Sequence, residues 1–124
     1  MAQENLVASL AAGCPSRRLL ERRLAQIGLG IVSALSQGQM TVEQAGREFF
    51  NLRNFERIRR LRLSKAMTEF FDWGMELDDV AQLAPEGLEE SYEHMRRLAW
   101  RMMRRSVPPM TWVVPTGRRV RRSA

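Results

Sequence analysis

Few residues in this chain could perform acid–base or nucleophilic chemistry. His94 is the single histidine and Cys14 the single cysteine among 124 residues. A serine or cysteine nucleophile needs an imidazole base and an orienting acid, and no nucleophile-elbow glycines accompany either residue. On a helical wheel, His94 falls opposite the apolar stripe of its helix, so we expect a solvated surface side chain. The sequence therefore predicts no catalytic residue and a protein that is not an enzyme.

Metal and cofactor sites are also not indicated. Zinc sites need cysteine and histidine ligands at short spacings, which the chain lacks. The acids Glu76, Asp78 and Asp79 do not have the alternating oxygen ligands and turn glycine of a calcium loop. Acids are favoured at the positive end of a helix, so this cluster is expected to be a solvated helix start. We expect neither a metal nor a cofactor.

Charge is strongly segregated along the chain. Residues 1–65 carry a net charge of +6, residues 66–95 carry −9 without any lysine or arginine, and residues 96–124 carry +9. A segregated charge offers different surfaces to different partners. Acids in the first half of the last helix and arginines in its second half fit the helix dipole without any partner. The unexplained part is an acidic face with the following members: Glu69, Asp72, Trp73, Glu76, Asp78 and Asp79.

Arginines are the second candidate for binding. Two groups could contact phosphates in nucleic acid: Arg53, Arg57, Arg59, Arg60, Arg62 and Lys65, then Arg118, Arg119, Arg121 and Arg122. No zinc-finger spacing, ribonucleoprotein aromatic motif or recognition-helix pair accompanies them. The chain has 19 arginines against one lysine, a bias that GC-rich coding also produces. Both interpretations of the arginines stay open.

Trp100 is a further candidate for an interface. On the helical wheel it lies away from the apolar stripe, among Arg97 and Arg104, and Trp with Arg is enriched at the centres of protein interfaces. The alternative is that Trp112 or Val113 in the tail covers it.

The elements that must position these residues are helices. The spacing predicts a helix over about 17–36 capped by Ser16, a helix opened by a Thr41–Gln44 capping box, and a very basic segment over 52–61. Further helices are predicted from Ser64 to a stop at Gly74, over 77–83, and from Pro85 to 106.

These elements predict an all-α fold, a compact bundle of about four to five helices with an extended basic C-terminal tail. We divide the chain into an N-terminal arm (1–15), a helical domain (16–106) and the tail (107–124). No apolar run is long enough to span a membrane, and Glu4 stands where a signal peptide would be positive. We expect a soluble, cytoplasmic protein, and the sequence does not indicate its oligomeric state.

Two segments resemble a family of small uncharacterised bacterial proteins. Residues 34–51 read ALSQGQMTVEQAGREFFN and residues 73–95 read WGMELDDVAQLAPEGLEESYEHM. In this family a Ser-X-Gly step precedes a capped helix, and a glycine precedes an acidic step ending in Leu-Asp-Asp-Val. By analogy, the resemblance implies an immunity protein or adaptor. Our leading hypothesis is a non-enzymatic protein that binds a toxin or a complex subunit through the acidic face; the alternative is a helical nucleic-acid-binding protein.

Overall fold

A computed structural model describes the backbone of residues 6–106 and the side chains of residues 6–105. Within this range the chain forms seven α-helices and one 3-10 helix: α1 (Leu6–Ala12), α2 (Arg17–Ser36), α3 (Val42–Glu48), α4 (Leu52–Arg60), α5 (Lys65–Met75), α6 (Leu77–Leu83), the 3-10 helix Pro85–Gly87, and α7 (Leu88–Ser106). The predicted all-α fold is confirmed. There are more helices than the four or five expected, and α1, which lies within the predicted N-terminal arm, is the one that the sequence did not predict.

Polar caps start the helices where the sequence predicts them. The side chain of Ser16 accepts a hydrogen bond at the start of α2, and Ser64 does the same for α5. At α3, Thr41 and Gln44 form a full capping box. Gly38, with a φ of 74°, takes the left-handed conformation after α2 that glycine adopts without a steric penalty.

The two long helices α2 and α7 pack against each other and run antiparallel. Ser36 at the end of α2 donates a hydrogen bond to Glu89 in the first turn of α7, at 3.1 Å. Arg96 of α7 donates to the same hydroxyl at 3.0 Å. These helices and α5 enclose the core, in which four phenylalanine rings form edge-on and tilted contacts: Phe49, Phe50, Phe70 and Phe71.

Gly74 does not end α5, so this prediction was wrong. The helix continues to Met75, and Gly74 is buried within it beneath the ring of Phe50. The glycine is needed for close packing, since a β-carbon at this position would overlap the ring. Pro85 also differs slightly from the prediction, because it starts a separate 3-10 turn and α7 begins only at Leu88.

The structure describes the predicted N-terminal arm only from Leu6 onward and does not describe the predicted tail. Within the predicted N-terminal arm, Leu6–Ala12 form α1 and Val7 is fully buried. The predicted extended tail, 107–124, lies outside the described residues. Of the helices described, none is both long and apolar enough to cross a membrane.

Candidate functional site

Antiparallel packing turns the segregated charge of the sequence into two differently charged ends of the bundle. At one end, Arg17 and Arg18 at the start of α2 line the same cleft as Arg105 in the last turn of α7. At the other end, Ser36 finishes α2 beside Glu89 at the start of α7. Because helix dipoles favour acids at N-termini and cations at C-termini, α7 itself contributes acids to one end and arginines to the other.

The predicted acidic face follows α5 and the helix after it. Glu69, Asp72, Trp73 and Glu76 recur at helical spacing along one side of α5, and Glu76 is also the N-cap residue of α6. Asp78 and Asp79 are exposed in the first turn of α6. The side chains of Asp72, Glu76 and Asp79 have no hydrogen-bond or ion-pair partner among the described residues. Asp78 accepts one long hydrogen bond, from Gln82 at 3.5 Å.

Two members of this face make contacts within the protein. The ring of Trp73 lies on the imidazole of His94 with a centroid distance of 4.3 Å and an angle of 35°. His94 Nε2 is 3.5 Å from Glu69 Oε2. Trp73 nevertheless keeps 36% of its surface exposed. Asp72 precedes this tryptophan and Glu76 follows it by about one helical turn, while the Trp73 ring packs against His94 of α7.

His94 is not a solvated surface residue, so this prediction was wrong. It is partly buried, and its Nε2 is shielded from solvent without a hydrogen-bond partner in the described part of the chain. The helical-wheel argument assumed that the side of α7 opposite its apolar stripe faces solvent. In the structure α5 packs along α7 and brings Glu69 and Trp73 against the imidazole.

Trp100 lies on the outer side of α7 and is half exposed, at 50%. Arg97 is 3.9 Å from Glu93 in an exposed i,i+4 pair, a type worth about 0.3–0.5 kcal/mol. Arg104 is exposed as well. The proposed cover for Trp100, from Trp112 or Val113, lies outside the described residues.

The first predicted basic group does not form one surface. Arg53, Arg59 and Arg60 are exposed on α4. Arg57 is partly buried, and its Nε is shielded without a partner among the described residues. Arg62 lies beyond the end of α4 and turns toward a cleft that the rest of the group does not line. The second group, Arg118, Arg119, Arg121 and Arg122, lies outside the described residues.

This cleft was missed by sequence reasoning. It has a volume of about 460 Å³ and is lined by four arginines from three separate segments: Arg17, Arg18, Arg62 and Arg105. The signal in the sequence was the Arg17–Arg18 pair directly after the Ser16 cap, where a helix start normally favours acids. Nothing in the sequence placed these residues beside Arg62 or Arg105.

Glu21 is the acid that lines the cleft, and it is engaged by the neighbouring helix. Its two carboxylate oxygens accept hydrogen bonds from the backbone N–H and the hydroxyl of Ser64, at 2.9 and 2.8 Å. Ser64 in turn caps α5 by accepting from the Met67 N–H at 3.2 Å. The carboxylate therefore fixes the start of α5 against α2. Its negative charge offsets only one of the four arginine charges that line the cleft.

The described range contains no metal-binding arrangement of acids, histidine and cysteine. No three of these side chains there are close enough together to hold a metal ion. Cys14 is a free, partly buried thiol that packs against the core.

Comparison with known protein families identifies a related family. A family model described as "Protein of unknown function (DUF3969)" matches residues 16–111. No curated protein and no solved structure matches the chain. The resemblance to a small uncharacterised family over the central part of the chain is therefore confirmed.

Proposed function

Since the chain belongs to the DUF3969 family, whose function is unknown, its own surfaces must suggest its role, and we propose that it is a non-enzymatic protein-binding domain that acts through the acidic face. The proposal is carried by the exposed carboxylates of Asp72, Glu76 and Asp79, which have no partner in the described part of the chain. Unpaired like charges on one surface repel one another. A basic partner would relieve this repulsion.

Apolar side chains beside the carboxylates support the same proposal. Trp73 is held by His94 and partly exposed, so it would lose little side-chain entropy on binding. On α6, Leu83 is 84% exposed, one turn after Asp79. Tryptophan is enriched among binding hot spots, which are surrounded by contacts that contribute less energy and exclude water. The partner would therefore be a protein with a basic groove that also has apolar pockets.

The mechanism would be steric and electrostatic. The acidic face would cover a basic active site or nucleic-acid groove on the partner, in place of the polyanion normally held there. This would suit a toxin-neutralising protein or an adaptor. Such a complex would associate quickly at low salt and more slowly as salt screens the charges.

The test starts with capture of partners from the native organism after nuclease treatment. The affinity of the captured partner is then measured for the wild type and for the double variant Asp78→Lys/Asp79→Lys. We expect slower association and a weaker complex. A matched control is Glu48→Lys/Glu56→Lys, which makes the same charge change at exposed acids of α3 and α4. An affinity that the α6 variant leaves unchanged at low salt would overturn the proposal.

A second candidate function is nucleic-acid binding. It is favoured by the exposed arginines Arg53, Arg59 and Arg60 on α4, whose guanidinium groups have no acid partner among the described residues. Filter binding across a salt series separates the two functions. Nucleic-acid binding requires an affinity that falls steeply with salt, and a loss on deletion of residues 117–124.

A further inference from the structure

The arginine-lined cleft is separate from the acidic face, because no residue of that face lines it. Its walls are the first two turns of α2, the connection between α4 and α5, and the last two turns of α7. Its volume of about 460 Å³ falls within the range of small-molecule sites. Leu63 and Met102 are the apolar residues that line it, and Met102 is fully buried in the core beneath the cleft.

The charge in the cleft is not balanced by the protein. The side chains of Arg18, Arg62 and Arg105 have no hydrogen-bond or ion-pair partner among the described residues, and the side chain of Arg17 makes only one long bond, at 3.4 Å to the carbonyl of Leu61. Glu21 already accepts two hydrogen bonds from Ser64. Four arginines therefore line a cleft that has a single carboxylate, and that carboxylate already accepts two hydrogen bonds from Ser64.

Three of these arginines stand where arginine is unfavourable for folding. Arg17 and Arg18 occupy the first turn of α2, which has no acid and where the helix dipole disfavours cations. Arg62 has a φ of 57° and is the one residue other than glycine with a positive φ in the described range. Left-handed backbone in a side-chain-bearing residue is concentrated at functional sites. When several residues at one site go against local folding preferences, the site is expected to have a function.

We propose that this cleft is a binding site for a phosphate-bearing ligand. The planar guanidinium group donates paired hydrogen bonds to phosphate oxygens, which an ammonium group does not. The start of α2 adds the positive end of a 20-residue helix. The bound phosphate would be either part of a small organic phosphate or part of a nucleic-acid backbone.

The test uses the full chain with sodium pyrophosphate as the probe. Titration calorimetry and thermal unfolding are measured at low ionic strength, with sodium chloride at matched ionic strength as the reference. We expect pyrophosphate to raise the melting temperature beyond the effect of chloride, because a ligand that binds only the folded state stabilises it. In Arg18→Gln/Arg105→Gln the affinity should fall by at least about tenfold, the effect of losing charged hydrogen bonds.

Two control variants separate the cleft from charge in general. Arg53→Gln/Arg60→Gln removes the same charge from exposed positions of α4 outside the cleft, and its affinity should stay within about twofold of wild type. Replacing Arg118, Arg119, Arg121 and Arg122 by glutamine tests the tail. Binding that is lost in the tail variant and kept in the cleft variant overturns the proposal.

Arg62→Gly keeps the test valid if the double variant folds poorly. Glycine suits the positive φ, so this variant should melt at a higher temperature and still bind pyrophosphate more weakly than wild type. A single-stranded oligonucleotide is titrated in parallel. Cleft-dependent binding of pyrophosphate identifies a small phosphate ligand, and cleft-dependent binding of the oligonucleotide alone identifies a nucleic-acid backbone. If neither probe depends on the cleft arginines, the proposal is wrong.

Discussion

Glu21 of α2 and Ser64 at the start of α5 are 43 residues apart in sequence and joined by two short hydrogen bonds, of 2.9 and 2.8 Å. Glu21 is only 9% exposed. Since Ser64 also caps α5, the carboxylate ties the second turn of α2 to the start of α5. The same contact forms a wall of the arginine-lined cleft.

Glu21→Gln should destabilise the protein. The amide would keep one acceptor for Ser64 and present an N–H₂ group where the second oxygen accepted, which leaves a buried polar group poorly paired. We expect the free energy of unfolding to fall by about 1–3 kcal/mol, measured by urea denaturation. Glu48→Gln, at an exposed position of α3, should change it by less than about 0.5 kcal/mol. Equal effects at the two sites would contradict the role given to the pair.

The two glycines near the middle of α2 should respond in opposite directions to alanine. A β-carbon on Gly28 would overlap the ring of Phe70, whereas Gly30 has open space around it. We expect Gly28→Ala to cost about 1–3 kcal/mol through overpacking. Gly30→Ala should stabilise the helix by up to about 1 kcal/mol, because alanine is the better helix former. Thermal melts of the two variants against wild type decide the matter, and a stabilised Gly28→Ala would refute the close packing of α2 on α5.

Much of the helical structure could be predicted because its signals are local. Ser16, Thr41 with Gln44, and Ser64 cap helices within three residues of their own position. Gly74 was misread because the ring that requires a glycine there, Phe50, lies on another segment.

The candidate sites depend on contacts between distant segments, and the sequence could not supply them. His94 is partly buried because α5 brings Trp73 and Glu69 to it. The cleft joins Arg17 to Arg105, and no spacing rule connects residues so far apart. The exposure of Asp72, Asp78 and Asp79 could be predicted because these residues lie on two consecutive helices, where exposure follows helical periodicity.

Arg62→Gly should stabilise the protein in the absence of ligand. Arg62 follows the C-cap residue of α4, Leu61, and its N–H donates to the Arg59 carbonyl at 3.1 Å. Glycine is favoured at this position after a helix because it lacks the β-carbon clash. We expect a gain of about 0.5–1 kcal/mol after allowing for the greater freedom of glycine in the unfolded chain.

A matched control for this variant lies two residues earlier. Arg60→Gly removes the same charge at the last residue of α4, where the backbone is helical and glycine should cost up to about 1 kcal/mol relative to good helix formers. Denaturant melts should therefore move in opposite directions for the two variants. A destabilised Arg62→Gly would mean that the arginine side chain contributes to folding as well.

Tyr92 should make the stability of the protein sensitive to alkaline pH. Burial in the core, and then the negative charge of Glu89, raise the pKa of the Tyr92 hydroxyl above its ordinary value of 10.0. The unfolded state therefore loses this proton first as the pH rises. The contribution to stability is complete below about pH 10 and is lost as the pH rises toward the folded-state pKa.

Two variants test this dependence. Tyr92→Phe should flatten the decline of the unfolding free energy above pH 10, although it removes a hydroxyl from a side chain packed in the core. Glu89→Gln should lower the folded-state pKa of Tyr92 toward its ordinary value, because one of the two causes of the shift is removed. The chain has one tyrosine, so tyrosinate absorbance during a pH titration reports this group alone. A titration at the ordinary tyrosine pKa in the folded wild type would contradict the burial of the hydroxyl.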